Sequence, residues 1–373
     1  MADSAPQWSF DISSFMVLLG ESEEVKYRLM RRSFLECICA APVAGVQSYL
    51  HSHYALIETI GMAYFSPYGC KTAPLRNMRL DNSVRVAELL RDGKCVVYKI
   101  PDSSDTKRNG ERTAGSAMIV AWVAFSWLVF AGLMVFVAMI KSTSWIGFAS
   151  CSVSTGWSVL VRLLDRYCLG LAKLSTSRGE RPDAIFILGR RNSCFILDGS
   201  RFNIARWTGQ GLAPGSGRFV RYAMAFTRIG TLAVITFIFA TVPNGTTFDQ
   251  IAFIILNVLG QGNVMLGQYL CASSCLAELD LAEEYIAPSR THVYAFLLRK
   301  FGNGGWVDAA DLLPKTQVWE RWRKAVVDEP RSDPKILYEG LMDDGCTHEP
   351  KIDKDTANGE LHRRCFYIFH CWR

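Results

Sequence analysis

Missing from this sequence are the signatures that name an enzyme class. It has no Walker A phosphate loop, no His-Glu-x-x-His and no Gly-x-Ser-x-Gly. Gly209-Gln210-Gly211 followed by Gly215 departs from the dinucleotide fingerprint in spacing, and its context is helix to loop rather than strand to helix. The paired acids Asp343-Asp344 and Glu283-Glu284 read as solvated. Also missing is a cysteine framework. The 12 cysteines follow no repeated spacing, so the disulfide scaffold of a short secreted chain is excluded. Cys37-Ile38-Cys39 lacks the C-x-x-C spacing of a redox site. Cys346 and His348 with Cys365, His370 and Cys371 match no zinc signature. No metal and no cofactor is expected. A signal peptide is absent as well, because Asp3 stands where the basic region belongs and Asp11 interrupts the apolar run Phe10–Leu19.

What is present in quantity is apolar sequence. Half of the residues (50%) are hydrophobic and mean hydropathy is +0.12, high for a soluble chain. Residues 116–140 carry no charge and no proline. At about 1.5 Å per residue, a helix of this length crosses a hydrocarbon core of about 30 Å. A second span is predicted over 145–164, where Gly147, Cys151 and Thr155 form a small-residue face for close helix approach. A third covers 223–242. A fourth covers 250–270, after the turn Pro243-Asn244-Gly245.

The segments between are polar and basic. Residues 1–113 form a basic region before the first span. Within it, 34–65 is apolar but holds Glu36, Pro42, His51, His53 and Glu58, which reads as two amphipathic helices on the membrane surface or against the bundle. The loop 165–222 contains β-type runs at Ala184–Leu188 and Cys194–Leu197, joined by a turn as a hairpin, and then a helix capped by Ser200. Residues 271–373 are soluble in character, with helices predicted over Arg290–Phe301 and Val318–Val327. The fold class is therefore an all-α integral membrane protein of about four transmembrane helices with a small α+β cytosolic element.

Under four spans, nearly every lysine and arginine falls on one side, and only Lys141 on the other. That asymmetry puts both termini and the central loop in the cytosol and names no organelle.

Two residue groups carry the functional expectations. Asn257, Gln261 and Gln268 share one face of span four, beside Gly260 and Gly267. Polar groups in hydrocarbon need partners, so this face is either interhelical hydrogen bonding or a small-molecule path. Arg76, Arg79, Lys107, Arg108 and Arg112 crowd the approach to span one. They would meet anionic lipid headgroups or simply enforce topology. Nucleic acid is not expected at a cluster tethered to a bilayer. Cys168, Cys271 and Cys275 sit near span ends, where palmitoylation is chemically open.

Three blocks, Phe186–Leu212, Thr241–Gly267 and Thr291–Trp322, resemble a group of uncharacterised multi-span membrane proteins of filamentous fungi. That resemblance implies an integral membrane protein and carries over no activity and no site residue. The residues favour a non-enzymatic membrane scaffold or interaction component whose partners are the bilayer and cytosolic proteins. A small-solute or lipid transporter is the alternative, and a membrane enzyme acting on lipid a weaker one.

Overall fold

A computed structural model describes residues 16–30, 32–51, 56, 61–101, 109–139, 145–172, 181–215 and 217–344. In chain order these residues form α1 (Glu21–Leu29), α2 (Phe34–Cys37), β1 (Ala63–Ser66), β2 (Lys71–Pro74), α3 (Met78–Val86), β3 (Lys94–Lys99), α4 (Asn109–Met139), α5 (Trp145–Cys168), β4 (Leu169–Leu171), β5 (Pro182–Leu188), β6 (Cys194–Ser200), α6 (Arg201–Gly209), β7 (Leu212–Pro214), α7 (Arg218–Thr241), α8 (Thr247–Leu276), β8 (Asp280–Ile286), α9 (Arg290–Phe301), α10 (Trp306–Ala309), α11 (Gln317–Asp328) and α12 (Pro334–Asp343).

Four helices are long and apolar enough to cross a membrane. Their candidate spans are Ala117–Met139, Trp145–Cys168, Arg218–Asn244 and Thr247–Leu276. They stand as two antiparallel pairs, and α5 packs against each of the other three. The turn into α8 is fixed by a capping box. The Thr246 hydroxyl caps the Asp249 amide, and the Asp249 carboxylate reaches back to the Thr246 N–H at 2.9 Å.

The β part is larger than a local hairpin. Six strands form one sheet in the order β2-β1-β5-β6-β3-β8. The β3–β6 pair is parallel and the other pairs are antiparallel. The expected hairpin is its centre, with Phe186 opposite Ile196 and Ile187 opposite Phe195. Both strands are continuous apolar runs and are buried on both faces. Ile185, Ile187, Phe195 and Leu197 face α3 and α6 and form a core with Leu80, Val84 and Ile204. Each such side chain removed from water contributes about 1.5–3 kcal/mol. An all-α description therefore understates the fold. Of the missed strands, β2 and β8 are polar edge strands and β1 is only four residues long, so tertiary pairing rather than a local pattern reveals them.

The sheet also orders the molecule. β3 precedes α4, β5 and β6 lie between α5 and α7, and β8 follows α8. A second, two-stranded sheet pairs β4, directly after α5, with β7, just before α7. All three polar stretches flanking the helical pairs thus meet at one end of the bundle.

The segment read as two amphipathic helices, 34–65, is built otherwise. Its described parts are the single-turn helix α2, a run of turns and bends, a 3-10 turn at Val46–Leu50, the helical residue Leu56 and strand β1. Pro42, with Gly45 in the left-handed region at φ 61°, stops a helix from continuing.

The chain divides into two compact units, Met1–Arg290 and Thr291–Arg373. In the second, α11 and α12 pack through the buried Trp322, whose Nε1–H donates to the Pro334 carbonyl at 2.8 Å. Trp319 lies edge-on to Trp322 and stacks at a tilt on Tyr338. The Arg299 guanidinium donates to carbonyls in the last turn of α11 and just beyond it, at Val326, Glu329 and Ser332, where cations are favoured. Asp333 caps α12, with Pro334 at its first position.

Candidate functional site

The interior of the helical bundle is occupied by the chain's own residues 17–50. This segment touches all four long helices. α1 lies on α8, α2 on α4 and α5, and the Val46–Leu50 turn on α7. Residues 38–45 are turns and bends outside any helix or strand, so their backbone groups need partners from outside the segment. Inside a bilayer such backbone survives only where protein satisfies it.

The partners come from the long helices. The Ala40 N–H donates to Ser126 Oγ at 3.1 Å and the Val43 N–H to Ser158 Oγ at 2.8 Å. Trp127 Nε1 donates to the Ile38 carbonyl. Arg162, 1% exposed on α5, donates to the carbonyls of Cys39 at 3.0 Å and Ala41 at 2.5 Å. Ser126 lies about 14 Å past the start of its candidate span at Ala117, and Ser158 about 15 Å before the end of α5 at Cys168. The segment therefore reaches the middle of the bundle and turns back, and it is best called a plug.

Glycines on α8 admit it. A side chain at Gly260 would press on the Pro42 carbonyl, and one at Gly267 would overlap the Tyr27 hydroxyl. This is the close-approach use of small residues between packed segments.

The first half of the plug carries charge into the bundle. Arg28 pairs with Asp165 of α5 through Nε at 2.6 Å and Nη2 at 3.1 Å, and its Nη1 donates to the Ser48 carbonyl. Arg32 pairs with Glu24 at 2.6 Å. The Tyr49 hydroxyl also donates to Glu24. Each guanidinium covers a ring, Arg28 over Tyr49 at 3.8 Å and Arg32 over Tyr27 at 4.1 Å. Tyr27 donates to Glu36 at 2.8 Å. Glu36 with Ser33 forms the capping box that starts α2. Buried pairs of this kind add little net stability, but removing one partner is costly, so they fix one arrangement more than they strengthen it.

The polar face expected on α8 divides here. Gln261 Nε2 donates to the Leu19 carbonyl at 2.8 Å. Gln268 Nε2 donates to the Glu23 carbonyl at 3.1 Å and to its carboxylate at 3.0 Å. Both therefore hold the plug. Asn257 is buried and donates within its own helix, to the Phe253 carbonyl. Of the basic cluster, Arg79 bonds Ser274 and Glu278 at the end of α8, and Arg76 is exposed. Lys107, Arg108 and the side chain of Arg112 lie outside the described residues, as do Cys346, His348 and the C-terminal cysteines. Cys168 and Cys275 are buried, whereas Cys271 is half-buried.

The plug's own charged residues were not legible as a site. Glu24, Arg28 and Arg32 recur every four residues, a spacing that reads as a solvated salt-bridge stripe. The usable signal was Arg162 and Asp165 inside an otherwise apolar helix, since a charge at that depth demands a partner. Asn263 of α8 was also missed. Its Oδ1 accepts from Trp122 Nε1 at 2.9 Å, beside a small cleft shared with Tyr27 and Glu36.

Among the described residues, no group of three or more His, Cys, Asp or Glu gathers to hold a metal ion. No family model, curated protein or solved structure matches the chain.

Proposed function

We propose that this protein is a non-enzymatic membrane scaffold. Four helices anchor it, and its sheet-bearing end presents an interaction surface to cytosolic partners. The observation that carries this reading is the plug. Gln261 and Gln268, the groups best suited to line a solute path, are engaged by Leu19 and Glu23 of the same chain. Arg28 and Arg32 are likewise paired, with Asp165 and Glu24. The gathering of β3, β5, β6 and β8 at one end supports a single cytosolic platform, and the one-sided distribution of lysine and arginine supports its orientation. The resemblance to membrane proteins of filamentous fungi belongs to this reading and adds no activity.

Transport is the competing function. The double variant Gln261→Leu, Gln268→Leu separates the two. Expressed in cells lacking the native chain, a scaffold keeps its cellular role and its associated proteins as long as the variant folds. A folded variant that loses its role would overturn the scaffold reading in favour of a path along this face.

A further inference from the structure

Four guanidinium groups meet at one cleft. Arg28 and Arg32 come from α1 and the turn after it, and Arg162 and Arg166 from the last two turns of α5. Asp165, Leu169 and Leu212 complete its walls. The cleft is small and opens to solvent on one side. It lies where α5 gives way to β4 and where β7 leads into α7, the end of the bundle that carries the sheets.

The charges there are unequal. Arg28 is met by Asp165 and Arg32 by Glu24. Arg162 and Arg166 donate to carbonyls, of Cys39 and Ala41 in one case and of Arg32 in the other. The C-terminal dipole of α5 offsets about half a charge. Two donors are still left over. The Nε–H groups of Arg32 and Arg162 are buried and have no acceptor among the described residues. Both residues are more than nine-tenths buried, with 7% and 1% of their surface exposed. Buried donors normally find an acceptor, so the site is short of acceptors, and Arg162 and Arg166 meet carbonyls rather than carboxylates there.

We propose that this cleft binds a phosphoryl group, supplied by an anionic lipid headgroup or by inorganic phosphate. Planar guanidinium forks match phosphate oxygens in pairs, and several arginines at one point are the usual means of holding one. Arg166 lies in the last turn of a helix long enough to span, at the depth of lipid headgroups. Leu169 and Leu212 give the cleft an apolar wall. The site is separate from the basic cluster ahead of α4, and it does not depend on the scaffold reading.

The test uses the full chain in nanodiscs, with thermal unfolding as readout. One set contains phosphatidylcholine alone, with inorganic phosphate or with chloride at equal ionic strength. A second set contains phosphatidic acid in place of part of the phosphatidylcholine. A rise in midpoint with inorganic phosphate identifies the free ion. A rise only in the phosphatidic acid discs identifies the headgroup. Arg166→Gln abolishes the rise, while Arg191→Gln, on the exposed β5–β6 turn outside the cleft, retains it. Arg166→Lys keeps the charge but loses the fork, and raises the half-saturating concentration about tenfold or more. No rise under either condition overturns the proposal, whatever the variants do. So does an equal rise in folded Arg166→Gln.

Discussion

Arg28 and Asp165 lie 137 positions apart in the chain and meet as a bidentate pair inside the bundle, at 2.6 and 3.1 Å. One is on the plug and the other on α5, so the pair joins two parts that local sequence does not connect. Asp165→Asn leaves the buried Arg28 without its counter-charge. The expected cost is about 3–5 kcal/mol, measured by chemical or thermal unfolding in detergent. The paired change Arg28→Met, Asp165→Leu should recover most of that loss, because neither charge then remains buried alone. A single variant as stable as the parent would mean that the pair is solvated.

The plug's seat depends on glycine. Gly267→Leu sets a side chain against the Tyr27 hydroxyl, and Gly260→Ala presses on the Pro42 backbone. Gly132 has nothing within 4 Å, so Gly132→Ala serves as a control. With a cysteine at Val43 and native thiols accounted for, the two α8 variants should label with a water-soluble maleimide at least about tenfold faster than the control. Equal labelling would place Val43 outside the bundle interior.

One shared sheet fixes the relative sides of its strands. Protease sites inserted between Leu188 and Cys194, and just after Ile286, should be cut together on sealed microsomes without detergent. The sequon Asn244-Gly245-Thr246 lies at the opposite end of the bundle. Cleavage of one site with protection of the other would contradict the β3–β6 and β3–β8 pairings.

Helix α12 should respond to acid. The Lys335 amide first, and then that of Ile336, hold the Asp333 carboxyl below the ordinary aspartate range, with His292 nearby adding to the effect. A carboxyl lowered in the folded state stabilises it above the unfolded pKa, and that support is lost as pH falls through the folded value. The first turn of α12 should therefore keep its hydrogen-exchange protection from neutral pH down to about pH 4 and lose it below. Asp333→Asn should remove the pH dependence while keeping a cap.

The parts legible from sequence are those where a local pattern settles the outcome. The apolar run 116–140 and the largely apolar stretches on either side of Pro243 can be satisfied only as long helices. Ile185 to Leu188 and Cys194 to Leu197 pair because a short turn joins them. Ser200 reads as a cap because its hydroxyl reaches the Asn203 amide three residues on. The plug was not legible for the opposite reason. Its backbone is satisfied by Ser126, Ser158 and Arg162, at separations of 86 to 123 residues, and no window of sequence contains both members. Glu36, His51 and Pro42 count against a membrane span, but nothing local says that the segment enters the bundle and returns. Gln261 and Gln268 were legible as groups needing partners. That those partners would be Leu19 and Glu23 was not.

The plug also sets an order of events during synthesis. Residues 17–50 leave the ribosome before any long helix, yet Gln261, Gly267 and Gln268 belong to the last of the four. The carbonyls of Leu19 and Glu23 must therefore wait for Gln261 and Gln268 until more than two hundred further residues have been translated. Assembly thus finishes with the part that was made first. A chain halted before α8 would hold its plug against α4, α5 and α7 alone, with the side that Gly260 and Gly267 cover left open.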